Sequence, residues 1–270
     1  MWKKIFFVIV YIFAFIGFVL TGGYFAVKFH LTNSQGVIDI QNEIFRSGKT
    51  NITIDTEWTK TEEWQTLRAA MIKDTALVAR ISTLTGVNGR LIVAQLVAEQ
   101  LRLYTSQREI FKQIFAPLKI LGSQSQFSWG IMGLKQDTAI AIENNLKDPS
   151  SPYYLGISYE HLLDFKSDNI DEERFNRIID EHDHYYAYLY TALYLKQIMV
   201  QWQKAGFDIS DRPEILSTLY NIGFAHSKPK ASPSVGGAEI DVNGHVYSFG
   251  SLAYYFYYSK EVVDSFPPIK

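Results

Sequence analysis

The chain has no cysteine among its 270 residues. This excludes disulfide bonds and thiolate metal ligands, so the cellular compartment has to be argued from other features. An excess of positive charge is also missing, because 26 lysines and arginines are balanced by 28 aspartates and glutamates. Such a surface has no basic field to hold a nucleic-acid backbone, and no nucleic-acid partner is expected. No phosphate-binding loop and no Ser-His-Asp arrangement is evident, and we expect neither a cofactor nor a metal ion.

Charge is absent from one long stretch near the N-terminus, residues 5–27. A helix of that length rises about 34 Å, enough to cross a hydrocarbon core of about 30 Å. Lys3 and Lys4 precede it, which places the N-terminus in the cytoplasm. A cleaved signal peptide is the alternative, but the run is longer than a signal core and no typical cleavage site follows. We expect a single-pass anchor in the cytoplasmic membrane over residues 1–29, with the rest of the chain on the periplasmic side.

The remainder of the chain is predicted to be a linker followed by one mainly helical domain. Residues 30–56 lack periodicity and are expected to form a juxtamembrane linker, and residues 57–270 have the length of a single domain. Apolar residues recur there at helical spacing. One small β-hairpin is predicted at 238–249, around the turn Asn243–Gly244. The fold class expected is therefore mainly α, in an α+β arrangement in which a helical domain carries one small β-hairpin.

Several helices are predicted from caps and periodicity. Thr59 and Glu62 fit a capping box, and the helix that follows is expected to run to Gly86. Residues 90–103 are apolar nearly all round, which is typical of a helix buried in the middle of a domain. The other helices are predicted over 106–121, 137–146, 159–165, 171–204, 213–222 and 252–263.

The first candidate motif covers residues 85–100, in which Gly-Val-Asn precedes an aliphatic helix that ends at Glu99. A carboxyl group at the end of an apolar helix is partly desolvated, which favours its neutral form, as a general acid requires. The alternative is that Glu99 turns to solvent where the helix surfaces.

The second motif covers residues 128–139 and contains Gly130 and Gly133. Glycines let the main chain approach a ligand closely, as in the wall of a sugar-binding cleft. The alternative is an ordinary turn between helices.

The third motif, residues 216–223, contains Tyr220, Asn221 and Gly223. A buried phenol needs a hydrogen-bond partner, and an acid/base carboxylate is a suitable one. The alternative is a core tyrosine followed by a helix stop.

Together the three motifs resemble the lysozyme-like superfamily, most closely the soluble lytic transglycosylases and goose-type lysozymes. They resemble, in order, the family's Gly-Val-Asp/Asn helix with its catalytic Glu, its Gly-Leu-Met-Gln motif and its Ala-Tyr-Asn-x-Gly motif. The resemblance spans residues 86–223 and departs from the family at two positions: Gln100 replaces a Ser, and Gly133 replaces the Gln. The gap between the first two motifs is also longer, and we interpret the predicted helix 106–121 as an insert beside the cleft, a lid or a surface for envelope protein partners.

The resemblance implies a peptidoglycan lytic transglycosylase. Such an enzyme cleaves the MurNAc-GlcNAc β-1,4 bond and leaves a 1,6-anhydro-muramyl end. Glycosidases commonly use two carboxylates, whereas this reaction needs one, and only Glu99 stands in a motif. The implied catalytic residues are Glu99 and Tyr220, with Tyr220 orienting Glu99. The implied substrate-binding residues are Gln100, Ser128, Gly130, Ile131, Met132, Gly133 and Asn221.

Two other functions fit the sequence. One is a muramidase that hydrolyses the same bond with Glu109, Glu143 or Glu181 as a second carboxylate. The other is a non-catalytic peptidoglycan-binding part of an envelope complex. Residues 180–184 have metal-ligand side chains, but neighbouring helical residues do not converge, and a solvated helix start capped by Asp183 explains them better.

Overall fold

The computed structural model describes residues 54–105 and 128–268, together with four isolated positions among the first 21 residues. Within this part the protein is mainly helical, as predicted. The α-helices are α1 (Glu62–Lys73), α2 (Thr75–Thr85), α3 (Gly89–Thr105), α4 (Gln136–Lys147), α5 (Ile170–Ile179), α6 (Tyr185–Lys204), α7 (Pro213–Ile222) and α8 (Phe249–Tyr258). The strands are β1 (Ser128–Trp129), β2 (Leu134–Lys135), β3 (Glu239–Val242) and β4 (His245–Ser248).

The predicted anchor and nearly all of the predicted linker lie outside the described residues, as does the predicted helix 106–121. Among the residues that are described, no helix is long and apolar enough to span a membrane.

Helix α3 is the centre of the fold, and α1, α2, α6, α7, α8 and β3 all contact it. It begins where the Asn88 side chain accepts the main-chain N–H groups of Arg90 and Leu91, at 2.9 and 3.3 Å. Every residue from Arg90 to Glu99 is buried. The prediction of a central buried helix is confirmed, and the apolar faces of the surrounding helices pack against it.

Arg90 ties the start of α3 to the end of the chain. Its side chain has no exposed surface, and burial lowers the pKa of this guanidinium to about 10. It donates hydrogen bonds to the main-chain carbonyl groups of Phe256, Tyr257, Ser259, Glu261 and Phe266. These carbonyl groups belong to the end of α8 and the segment after it, where a positive charge complements the helix dipole.

The predicted helix from Thr59 to Gly86 is two helices, α1 and α2, with a break at Asp74. The Asp74 carboxylate accepts hydrogen bonds from His184 and Tyr188, at 2.7 and 2.9 Å. Both partners lie more than 100 residues away, so the periodicity of 59–86 could not show the break. Gly86 does end α2, in the left-handed conformation at φ +70°.

Three other helix predictions were wrong, two at their ends and one entirely. The cap of α1 is Thr61, whose hydroxyl oxygen accepts the Trp64 N–H at 3.1 Å, and not Thr59. The helix predicted over 159–165 does not form: the 3-10 helix Ile157–Tyr159 ends where it should begin, and turns closed by bonds between residues three apart follow. Helix α8, predicted over 252–263, begins three residues earlier, at Phe249, because Ser248 and Ser251 form a capping box there, and it ends at Tyr258.

The predicted hairpin is confirmed. Strands β3 and β4 pair antiparallel with Val242 opposite His245. Asn243 and Gly244 both have positive φ, 53° and 83°, as a two-residue type I′ turn requires. A second, smaller hairpin was not predicted: β1 pairs with β2 around residues 130–133.

Candidate functional site

The turn between β1 and β2, residues 130–133, is the wall of the site, and we call it the glycine turn. Its ends are joined by a hydrogen bond from the Gly133 N–H to the Gly130 carbonyl, at 3.3 Å. Both glycines are left-handed, at φ +62° and +63°. A Cβ atom at Gly130 would overlap with the carbonyl oxygen of Ile178 and lie 3.2 Å from its carbon. Gly130 therefore serves the close approach of the turn to helix α5.

Gly133 lies against the side chain of Glu99. A Cβ atom at Gly133 would overlap with the carboxylate atoms Oε1 and Cδ and would come within 2.7 Å of Cγ. The space that a glutamine would fill at this position is thus occupied by the carboxylate itself. This contact brings the first two motifs together.

Two side chains hold consecutive carbonyl groups of the glycine turn. The Gln100 amide of α3 donates to the Ile131 carbonyl, and the Tyr220 hydroxyl of α7 donates to the Met132 carbonyl at 2.7 Å. The turn is therefore fixed from both sides next to Glu99. Gln100, which departs from the family's Ser, has this structural task.

Tyr220 is buried beside the site and does not direct its hydroxyl proton to Glu99. The proton goes to Met132, and the hydroxyl also lies 3.3 Å from Thr191 Oγ1. Burial raises the pKa of Tyr220 above its ordinary value of 10, and the negative charge of Glu99 raises it further. The expected hydrogen bond from Tyr220 to Glu99 is therefore not formed, and Tyr220 reaches the carboxylate only through the glycine turn.

Glu99 is 2% exposed, so the alternative in which it turns to solvent is wrong. Its surroundings also differ from the apolar pocket that the sequence predicted, because Oε1 forms an ion pair with Nη2 of Arg102. The spacing of three residues puts both side chains on one face of α3. The sequence could have indicated through this spacing that Arg102 pairs with Glu99. No local signal could have indicated that Thr191 lies beside Tyr220, because Thr191 belongs to α6.

The other predicted substrate-binding residues differ in how far they are buried and in what they contact. The Met132 side chain is fully buried, so it belongs to the core and does not line an open subsite. Ile131 is half-buried. The Asn221 amide oxygen accepts the Ala238 N–H at 2.8 Å, which ties α7 to the segment before β3. Ser128 is paired with Lys135 through the main chain, and its side chain lies outside the described part.

The candidate second carboxylates are placed apart from this arrangement or lie outside the described residues. Both oxygens of Glu143 accept hydrogen bonds from Arg174, at 2.8 and 2.7 Å, and one also accepts the Tyr190 hydroxyl. This carboxylate is thereby committed to a buried network that joins α4, α5 and α6. Glu181 is exposed between α5 and α6. Glu109 lies outside the described residues.

Residues 180–184 form the connection between α5 and α6, so the single helix predicted over 171–204 is two helices. The Asp180 carboxylate accepts the N–H groups of His182 and Asp183, at 2.8 and 3.0 Å, and Asp183 accepts the Tyr185 N–H at 3.0 Å. Within the described part of the chain, no three acidic or histidine side chains are grouped to hold a metal ion.

Comparison of the chain with known protein families, with curated proteins and with solved structures found no match.

Proposed function

We propose that this protein is a membrane-anchored lytic transglycosylase of the lysozyme-like superfamily, acting on the glycan strands of peptidoglycan from the periplasmic side. The observation that carries the proposal is the meeting of three separated motifs at one carboxylate. Glu99 contributes the carboxylate, Gly133 lies against it, and Tyr220 holds the same turn from α7. A chance resemblance of three short segments would not require them to be neighbours in space.

The proposed reaction needs one acid/base group. Glu99 gives its proton to the glycosidic oxygen as the bond from that oxygen to C1 of the muramyl residue breaks. The 6-hydroxyl oxygen of the same residue then bonds to C1, and its proton passes to Glu99. The bond is replaced by an internal one, no water is consumed, and Glu99 ends as it began. Enclosure of Glu99 supports this proposal, since a site without bulk water disfavours hydrolysis.

One rival is weakened and another is supported by particular contacts. The muramidase needs a second carboxylate, and Glu143 is engaged by Arg174. The binding module is favoured by the pairing of Glu99 with Arg102, because the ion pair occupies Oε1 and keeps the carboxylate charged.

Product analysis on purified sacculi separates the three functions. We expect the full-length protein to release muropeptides with 1,6-anhydro ends, which mass spectrometry distinguishes from reducing ends by the loss of one water. Reducing MurNAc ends would show a muramidase instead. Sedimentation with sacculi without any release would show a binding module.

A further inference from the structure

The ion pair between Glu99 and Arg102 is enclosed on both sides. The exposed fractions of the two side chains are 3% and 15%. Exposed pairs at this spacing contribute little to stability. An enclosed carboxylate, by contrast, is strongly disfavoured when its counter-charge is removed. Arg102 is therefore expected to govern the state of Glu99.

The contact also occupies the oxygen that faces the glycine turn. Oε1 is the atom bound by Arg102, and it is also the carboxylate oxygen nearest to the position of a Cβ at Gly133. A carboxylate held in an ion pair is charged and has no proton to offer to a glycosidic oxygen. Acid catalysis by Glu99 thus requires Arg102 to release it.

Among the described residues, two elements contribute charged or titratable neighbours of Glu99. Helix α3 contributes Arg102, and α7 contributes Tyr220, whose raised pKa keeps it neutral at ordinary pH. The glycine turn contributes Gly133, which has no side chain. The balance of charge at Glu99 therefore changes when Arg102 moves.

We propose that Arg102 is a positioning residue that holds Glu99 as an ion pair in the free protein and transfers to a carboxylate of the substrate when the glycan binds. This inference rests on the proposed function. Muramyl residues carry carboxylates on the lactyl group or on its peptide stem, and a guanidinium binds carboxylates in a two-bond geometry. Once Arg102 has left, enclosure favours the neutral form of Glu99, which is the form that gives up a proton. The site then selects anionic muramyl glycans over neutral ones.

The pH profile of cleavage tests the control of Glu99. The variant Arg102→Met removes the positive charge beside Glu99, so the falling limb of the profile should move to higher pH than in the wild type. Arg102→Lys keeps the charge and should retain the wild-type profile. A purely structural role would lower activity in both variants without moving the limb. An unmoved limb in Arg102→Met would overturn the inference.

The selectivity is tested by binding of two glycans, a neutral pentamer of N-acetylglucosamine and strands from sacculi. The wild type should prefer the strands, and Arg102→Met should lose about tenfold of that preference, the effect of one charge-assisted hydrogen bond. Strands freed of peptide by an amidase identify the carboxylate that Arg102 binds. If the wild type still prefers these strands, the lactyl carboxylate is bound, and if the preference is lost, the carboxylate belongs to the peptide stem. Equal preference in wild type and variant would contradict the transfer.

Infrared difference spectra give a readout that does not depend on cleavage. The spectrum of the wild type minus that of Glu99→Gln isolates the Glu99 carboxyl group. A protonated band should emerge when the wild type binds muramyl strands, but not with the neutral pentamer, and this measurement stands even if Arg102→Met does not fold. No such band with either glycan would overturn the inference. If Glu99→Gln still cleaves sacculi, the proposed function fails, whereas an inactive Glu99→Gln with no band on binding leaves that function standing and removes only the role of Arg102.

Discussion

At the scale of single residues, the site depends on the absence of a side chain at position 133. Alanine at Gly133 would overlap with the Glu99 carboxylate, so we expect Gly133→Ala to lower cleavage by about 10²-fold through misplacement of the acid. It also introduces left-handed strain of about 1–2 kcal/mol. Gly206→Ala is a matched control, because Gly206 has φ +87° and nothing within 4 Å of its Cβ position. Equal activity losses in both variants would show that strain alone is responsible.

The Tyr220 hydroxyl offers a second prediction at this scale. Tyr220→Phe leaves the buried Met132 carbonyl without its donor, which should lower the free energy of unfolding by about 1–3 kcal/mol. The glycine turn then loses one of its two supports, and cleavage should fall at least about tenfold. Tyr194→Phe is the control variant, because it removes one hydroxyl from a ring that packs on Tyr220, with ring centroids 5.2 Å apart. Both quantities are measured by urea unfolding and sacculus digestion; unchanged cleavage in Tyr220→Phe would assign Tyr220 to the core.

The sequence could predict some of the residues that meet at the site but not how they contact one another. Glu99, Tyr220 and the glycine turn were found through motifs. The acceptor of the Tyr220 hydroxyl is a main-chain carbonyl, and main-chain groups carry no sequence signature. The role of Gly133 as space for a carboxylate, and the pairing of Glu99 with Arg102, likewise depend on how the helix and the turn approach each other.

At the scale of elements, the break between α1 and α2 is held by an ion pair to the start of α6. Burial opposes the ionised form of Asp74, but the hydrogen bonds from His184 and Tyr188 outweigh it and lower the pKa of Asp74 below 3.8. The hydrogen bond to Asp74 outweighs burial at His184 and raises the pKa of that imidazole above 6.5. The stabilisation that comes from the lowered pKa of Asp74 is present above pH 3.8 and is lost as the pH falls. The stabilisation that comes from the raised pKa of His184 is present below pH 6.5 and is lost as the pH rises.

We therefore expect this pair to stabilise the fold most between about pH 4 and 6.5, by no more than about 1 kcal/mol because both groups are partly exposed. Asp74→Asn should remove this part of the pH dependence, as measured by melting temperature from pH 4 to 9. His161→Ala serves as the control, because its pair with Asp164 has the same 2.7 Å distance but the His161 side chain is 79% exposed. If Asp74→Asn and wild type lose stability in parallel above pH 6.5, the Asp74–His184 pair does not contribute to the pH dependence of stability.

Element boundaries were predictable where the signal is local. Gly86, Pro213 and the Asn243–Gly244 turn each determine their own backbone, and all three predictions are confirmed. The break at Asp74 was missed because its cause lies in α6, on the far side of the sequence.

At the scale of the whole molecule, Arg90 joins the central helix to the C-terminal segment. Arg90→Met keeps much of the volume but leaves several buried carbonyl groups without donors, and should cost on the order of 3–5 kcal/mol of unfolding free energy. Arg80→Met, at an exposed position of α2, should cost less than about 1 kcal/mol. Urea unfolding compares them. Similar midpoints for the two variants would contradict the role of Arg90.

The mainly helical architecture followed from periodicity because one buried helix and amphipathic neighbours leave a regular apolar pattern. The pattern around residues 90–103 predicted the centre of the molecule. The β1–β2 hairpin was missed, since two-residue strands are too short to alternate.

The central claim is that Glu99 is the acid/base of a glycan-cleaving site, and the most direct measurement is the product yield of Glu99→Gln on purified sacculi. The amide keeps the shape of the side chain but cannot give or take the proton, and loss of one such group commonly lowers rates by about 10²–10⁴-fold. Glu63→Gln, at an exposed position of α1, is the matched control. We predict that Glu99→Gln binds sacculi and releases no anhydro-muropeptides above background, while Glu63→Gln releases them like the wild type. Release by Glu99→Gln at the wild-type rate would contradict the account.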